Sequence, residues 1–569
     1  MNNKSLAVVA TVIVIVIGLV IALVASNNID KDNVLGNTDD IALSASEADT
    51  MLRKASERVE ITSHKASKAA ISFDETDAAI ELPNIDTAYP AVVTPNNKDI
   101  VIEIFTSPEK GGTGTESWLR ELTESFNSSN ITVNNKSAGV KLRSISSGTQ
   151  IDYIVSGVYV PDAITPSAAL WADMLDVEGI KTECVNPRMV GNVAGVLINK
   201  TTLDSLAQTY GTADIQAIVK ATEAGTITAG YTNPFASTSG LNFLASTLYS
   251  YDTNPLSEKA INGFNAFQYN VPFVAYNTMQ MRDAAEKNTF TSMILEYQTY
   301  YNTPDLKNNY EFIPYGVRHD NPLYAIGALS EDKKAVLEEF NKFCMSSSAQ
   351  NAADKYGFNQ LNDYESSILE TDGNTWVQIQ KIWKTNKNAG KPIAAVFVLD
   401  TSGSMSGAPL NLLKSSLSNS IQYINSSNYI GVVSYSSGVN IDLPIGLFDL
   451  QQQSYFQGAV NGLSAGGSTA TYSALAEAAI MLNEFTDSNP DIDVQPMIFL
   501  LSDGEANGGA NLKSISAALR YYNIPIYTIG YNANLAELEK VASLNEAASI
   551  NADTDDVVYK LKNLFNANL

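Results

Sequence analysis

Residues Ile393 to Leu399 read IAAVFVL, an almost unbroken apolar run that ends on an aspartate, Asp400. A strand of that kind has no polar face to give to water. It must be covered on both sides, as the strands of a parallel sheet are. YIGVVSY at Tyr429 to Tyr435 and QPMIFLL at Gln495 to Leu501 repeat the pattern, and Pro525 to Ile529 is a shorter strand. Val439 to Leu443 alternates as a short edge strand. Between and after them, Leu410 to Ile424, Tyr455 to Leu463, Tyr472 to Phe485, Leu512 to Tyr522, Leu535 to Ser543 and Asp555 to Phe565 read as helices. Residues 390–569 are therefore expected to be α/β: a doubly wound, mostly parallel sheet with helices on both faces.

Ligands of open parallel sheets gather beyond the carboxyl ends of the strands. Asp400 and Asp503 both fall there, and Ser402 and Ser404 follow Asp400 in D-T-S-G-S. Thr469 can join them from a Gly-Gly-Ser-Thr loop between two helices. Gly403, Gly466, Gly467 and Gly504 give these loops room to turn. Asp, Ser and Thr supply hard oxygen donors, which suit Mg2+, Mn2+ or Ca2+. With few charged ligands the ion keeps some waters, and its open positions can accept a carboxylate oxygen from a protein partner.

The segments DTSGSMSG, GGST and LLSDGEAN, in that order, resemble the von Willebrand factor A family. There these positions form a metal-ion-dependent adhesion site. The resemblance implies that Ser402, Ser404 and Thr469 offer hydroxyl oxygens and that Asp400 and Asp503 bind the ion directly or through water. Asp400 would also hold the serine loop. Ser468 ranks below Thr469 as its inserted neighbour.

Upstream, residues 98–388 alternate strand and helix text. IVIEIFTS at Ile100 to Ser107, GVKLRSI at Gly139 to Ile145 and VAGVLINK at Val193 to Lys200 read as strands. Ser117 is a candidate cap for a helix to Phe126. PDAITPSAALWADML and GYTNPFASTSGLNFL resemble bacterial extracellular solute-binding proteins, which implies two α/β lobes with a ligand cleft. Ser237, Thr238 and Ser239, just before a helix, are candidates for holding a small anion, with a simple helix cap as the alternative.

Leu6 to Ala25 is twenty uncharged, almost wholly apolar residues, roughly 30 Å as a helix. Lys4 precedes it, so the N-terminus is expected inside and the bulk outside a cell membrane, as a single-pass protein. Residues 1–26 then form the anchor, with a cleaved signal as the rival reading. Residues 27–97 are a linker and stalk, in which Ile41 to Ala70 reads as one or two weakly amphipathic helices.

The formal net charge is −25, from 36 Lys plus Arg against 61 Asp plus Glu, with no basic stripe, so nucleic acid is excluded as a partner. Cys184 and Cys344 could form a disulfide in an exported domain, though their spacing does not argue for one. No histidine lies in residues 390–569, and no Gly-Lys-Ser/Thr follows Gly467. The chain is expected to bind and not to be an enzyme. It is expected to take a protein partner at the cation, or alternatively a small solute in the middle domain, or to serve as a structural part of the cell envelope.

Overall fold

The computed structural model describes residues 43–64, 67–70, 82 and 561, and residues 84–551 except 272, 276–280, 283–290, 370, 388–390, 505, 532–534, 543 and 545–548. The run from Leu6 to Ala25 lies outside them, as does the helix expected at Asp555 to Phe565 apart from the helical, buried Leu561. Among the described residues no helix is long and apolar enough to cross a membrane.

In the C-terminal domain the central strand, β2 (Ile393–Asp400), is buried at every position. Its neighbours are β3 (Tyr429–Tyr435) on one side and β5 (Gln495–Ser502) on the other, both parallel to it. Beyond β5 come β6 (Ile526–Gly530) and β7 (Ser549–Asn551), also parallel. Beyond β3 lies β4 (Val439–Leu447), which is antiparallel to it.

Side chains of β2 alternate between two cores. Ile393, Ala395, Phe397 and Leu399 pack with Leu413 and Leu417 of α2 (Ala408–Ser420) and Phe456 and Val460 of α3 (Leu450–Gly462). Ala394, Val396 and Val398 pack with Leu475 and Leu482 of α4 (Thr471–Ser488) and Ile515 and Leu519 of α5 (Leu512–Tyr522).

Two expectations change here. β4 is not the edge of the sheet. Ile61–Ser63, which we call β1, adds parallel to it with Ile61 opposite Val439 and Ser63 opposite Ile441. The helix just before it, α1 (Ala45–Ser56), is no free-standing stalk either. Its Ala48, Leu52 and Ala55 are buried in the same core as α4 and α5. The packing works because α4 is itself alanine-rich, with Ala474, Ala478 and Ala479 buried, so small faces two helices that approach closely. Arg53 pairs with Glu484 at 3.1 Å, and the Ser56 hydroxyl donates to Glu477 at 2.6 Å. Farther on, Ala69 exchanges hydrogen bonds with Ser454 of α3. Residues 45–64 and 67–69 thus form an arm laid across the C-terminal domain.

The middle domain has two sheets. The first runs in the order Ala91–Val93, Lys136–Ser144, Ile100–Thr106, Ala163–Thr165, Leu323–Ile326, Thr182–Asn186. The second runs Phe273–Ala275, Ala229–Thr232, Ser292–Glu296, Asn192–Asn199, Tyr310–His319. The chain crosses from the first sheet to the second after Asn186 and returns after His319. Glu296 is buried at this crossing and accepts from Asn192 at 2.9 Å and Ser239 at 2.5 Å, with His319 Nδ1 at 2.7 Å. The fully buried Arg143 pins the irregular stretch before the first sheet, donating to the carbonyl of Tyr89 at 2.7 Å. Ser117 makes no side-chain cap bond. Its hydroxyl lies 2.7 Å from the Gly114 carbonyl and from Glu121. Cys184 is exposed, Cys344 is buried, and both are free thiols.

If α1 is part of the C-terminal core, Leu52→Ala opens a cavity. It should lower that domain's stability by about 2–5 kcal/mol in a denaturant titration of the full chain. A change under about 0.5 kcal/mol, the size typical of a surface position, would deny the packing.

Candidate metal centre

Asp400 closes β2 with no exposure to solvent. Its carboxylate is held from three directions. Oδ1 accepts from the Ser402 N–H at 2.8 Å, while Oδ2 accepts from the Ser502 hydroxyl at 2.6 Å and the Tyr435 hydroxyl at 3.1 Å. The two hydroxyl donors follow from strand register. Tyr435 lies opposite Asp400 at the end of β3, and Ser502 ends β5 on the other side. Burial pushes the Asp400 carboxyl above its ordinary range. The hydroxyls of Ser502 and Ser402 oppose this, and the negative charge of Asp503 adds to the rise. Two acids thus face one another at the sheet rim, an arrangement that a cation relieves.

The serine loop leaves β2 with the Ser402 and Ser404 hydroxyls 3.0 Å apart. Ser402 is buried and Ser404 exposed, so the pair leads from the interior outward. The glycine loop is laced to it in both directions. Gly403 N–H donates to the Gly467 carbonyl at 3.1 Å, and Gly466 N–H donates to the Thr401 carbonyl at 2.8 Å. Of the glycines, Gly467 and Gly504 take positive φ, +86° and +83°, which a larger residue adopts only with strain.

Thr469 is buried beyond this lacing. Its N–H donates to Asn507 Oδ1 at 2.8 Å, and its carbonyl accepts from the N–H groups of Asn507 and Gly508, both at 3.1 Å. Ser468, by contrast, donates to the Ser437 hydroxyl at 3.1 Å on the exposed side. Asp503, one residue past β5, is 5% exposed. The structure therefore brings Asp400, Ser402 and Ser404 into one hydrogen-bonded group. It sets the Thr469 loop and Asp503 at the same rim.

Sequence reasoning did not single out Tyr435, Ser502 or Asn507. Ser502 and Asn507 flank Asp503 in LLSDGEAN, and Tyr435 is the last residue of its apolar strand, so the signal was proximity to a strand end. A histidine also reaches this domain from outside residues 390–569. The His64 N–H donates to the Ile441 carbonyl at 3.1 Å. It is not among the groups bonded to Asp400.

Two carboxylates and three hydroxyls are groups of the kind that suits a hard divalent ion. Such a set differs in kind from a His/Cys/Asp/Glu cluster, and among the described residues there is no group of three or more such side chains placed to hold a metal. For Mg2+, Asp400 and Asp503 would supply charge and Ser402, Ser404 and Thr469 neutral donors.

Residues 395–567 match the family model for the von Willebrand factor type A domain. This part of the chain is a von Willebrand factor type A domain. Human inter-alpha-trypsin inhibitor heavy chain H6 is 26% identical over 184 residues, which is 30% of this chain and 14% of that protein. The chain therefore spans only a small part of that relative's length. Among solved structures, a von Willebrand factor type A protein from Catenulispora acidiphila shares 20% identity over 31% of this chain and 42% of its own, with a TM-score of 0.28. A periplasmic thiamin binding protein shares 11% identity over 52% of this chain and 99% of its own, with a TM-score of 0.38.

The anion candidates in the middle domain are engaged internally. The Ser237 hydroxyl accepts from Gly240 N–H at 3.4 Å as a helix cap, and the Thr238 hydroxyl accepts from Trp171 Nε1 at 2.8 Å. The Ser239 hydroxyl donates to Glu296. The cap reading holds for Ser237; the Thr238 and Ser239 hydroxyls instead bond side chains of other elements.

Ser502→Ala removes the shortest bond to a buried carboxylate. It should cost about 1.5–3 kcal/mol of stability, the worth of a hydrogen bond to a charged group. Thermal or denaturant unfolding of the full chain checks this, and an unchanged midpoint would mean that Asp400 is not held by Ser502.

Proposed function

We propose that this chain is a surface-held binding protein. It captures a protein partner through a divalent ion, Mg2+ or else Mn2+ or Ca2+, at Asp400, Ser402, Ser404, Thr469 and Asp503. The observation that carries this reading is the buried Asp400 carboxylate beside Asp503, with the Ser402 and Ser404 hydroxyls side by side in front of it. Such a rim neutralises a cation only partly, so the ion can take a carboxylate oxygen from a partner. The strong negative charge of the chain sharpens the point. An acidic partner is repelled by the bare surface and held only where the cation intervenes. The apolar run at Leu6 to Ala25 supports placement at a membrane, with the bulk outside the cell. The chemistry is binding, and no step of catalysis is assigned to the rim.

Titrating Mg2+ into the full chain and into Asp400→Ala tests the ion. Wild type should bind and the variant should lose at least tenfold in affinity, as loss of a charged ligand at one site implies. Equal affinities would remove the metal from the reading. Capture of partners from the native membrane fraction, with and without EDTA, tests the role, and partners retained equally under both conditions would count against it.

A second reading has its own observation. At the carboxyl ends of the first sheet's strands, Glu109 Oε2, Gln150 Oε1 and Thr165 Oγ1 are buried without a hydrogen-bond partner. Lys110 beside them is pushed down to about 7 by burial, against the pull of Glu109 and Glu296. Unmatched acceptors of this kind suit a polar solute that carries donors. A thermal-shift screen of the full chain should find a stabilising small solute whose effect is indifferent to EDTA. A flat screen would leave the cation rim as the chain's binding site.

A further inference from the structure

Ser473 is a buried hydroxyl on an otherwise alanine- and leucine-lined face of α4. A buried hydroxyl is costly unless bonded, and this one is bonded twice. It donates to the carbonyl of Ala55, in the last turn of α1, at 2.7 Å. It accepts from Ala510 N–H at 3.0 Å. Ala510 ends the short loop whose Asn507 and Gly508 grip the backbone of Thr469 on both sides. Between them, Gly509 takes φ +69°, and a Cβ there would stand 2.7 Å from Ser473 Oγ and 3.2 Å from Val59 Cγ1. The arm therefore packs directly behind the loop that holds Thr469.

A second route reaches the same place from the other flank. The carbonyl of Glu60 accepts from Val439 N–H at 2.9 Å. The adjoining turn closes with Ser436 N–H donating to the Gly438 carbonyl at 2.9 Å, and the Ser436 carbonyl accepts from Ala470 N–H at 2.9 Å. Ser437 Oγ accepts from Ser468 N–H at 2.9 Å. Residues 55–60 thus touch both supports of the segment Ser468–Ala470. A helix that only covered the core would bury Ala48 and Leu52 without these polar links to the rim.

We propose that the N-terminal arm sets the position of Thr469 and through it the affinity of the cation rim, with Ser473 as the positioning residue. The arm regulates the site: engaged, it holds the threonine loop at the rim, and released, it frees that loop. This rests on the cation reading for its consequence, but the mechanical link stands on the hydrogen bonds alone.

Hydrogen exchange on the metal-free full chain tests the link. The variants are Ser473→Ala and, as control, Glu484→Ala, which cuts the Arg53 pair on the same helix contact away from the rim. In Ser473→Ala the amides of Thr469, Ala470 and Ala510 should exchange about tenfold faster, the effect of one lost hydrogen bond of ordinary strength. In Glu484→Ala they should not change. Val59→Ala, a milder cut at Gly509, should give the same pattern at smaller amplitude and serves if Ser473→Ala does not fold. If the two helix-contact variants loosen these amides alike, or neither does, Ser473 is a packing residue and the proposal is wrong.

Mg2+ titration of the same proteins reads the consequence. Ser473→Ala should weaken binding about tenfold on the same basis. Joined to Asn507→Ala, its loss should be less than the product of the two single losses, because both lie on one path. Multiplying losses would break that path. Equal Mg2+ binding by wild type and Asp400→Ala would instead end the cation reading and leave the exchange result to decide the arm.

Discussion

A carboxylate with no solvent contact ends the most deeply buried strand of the C-terminal domain. Placing a charge there costs several kcal/mol unless hydrogen bonds replace the lost water. The replacement comes from three neighbouring stretches of chain: the backbone of the serine loop, the end of β3 and the end of β5. Satisfying Asp400 therefore fixes where those three strand ends stand relative to one another. The glycine loop is then tied to the serine loop by two backbone bonds, which carries the order outward to Thr469. The serine and glycine loops owe their placement at the rim to this one buried acid first.

Much of this was legible in the sequence, because a strand buried on both faces has a signature that little else imitates. Ile393 to Leu399, Tyr429 to Tyr435 and Gln495 to Leu501 were placed within a residue of their observed bounds. The candidate rim residues sit at strand ends and in loops, where local text is enough. What escaped notice depends on distant partners. Tyr435 reaches Asp400 only through strand register. The arm escaped because its buried face is Ala48, Leu52, Ala55 and Ser56, with a single leucine among small residues. Alone that face is too weak to read as a core element, and it becomes one only against the equally small face of α4. In the middle domain the run Ser237 to Ser239 reads the same whether its hydroxyls cap, brace or bind. The deciding partners, Trp171 and Glu296, lie 67 and 57 residues away.

The middle domain keeps its own polar centre, Glu296 with His319, Asn192 and Ser239, where the chain passes between its two sheets. Its halves are also latched directly. Gly148 N–H donates to the Ala236 carbonyl at 3.1 Å, and a side chain at Gly148 would collide with Phe235. The two domains thus use buried acids in different ways: one braces a strand crossing inside the fold, the other ties three neighbouring stretches of chain together at the sheet rim.

The pairing of Ile61 with Val439 encloses the whole middle domain between two adjacent strands of one sheet. In topological terms the middle domain is an insertion, and the C-terminal domain is assembled from segments on either side of it. Thr62 and its partner Asn440 are separated by 378 residues. At ribosomal speeds of about 5–20 residues per second, the arm emerges roughly 20–75 s before the strand it joins. During that interval the inserted domain can complete its own fold, and the arm remains an unclaimed edge until the last third of the polypeptide arrives to close over it.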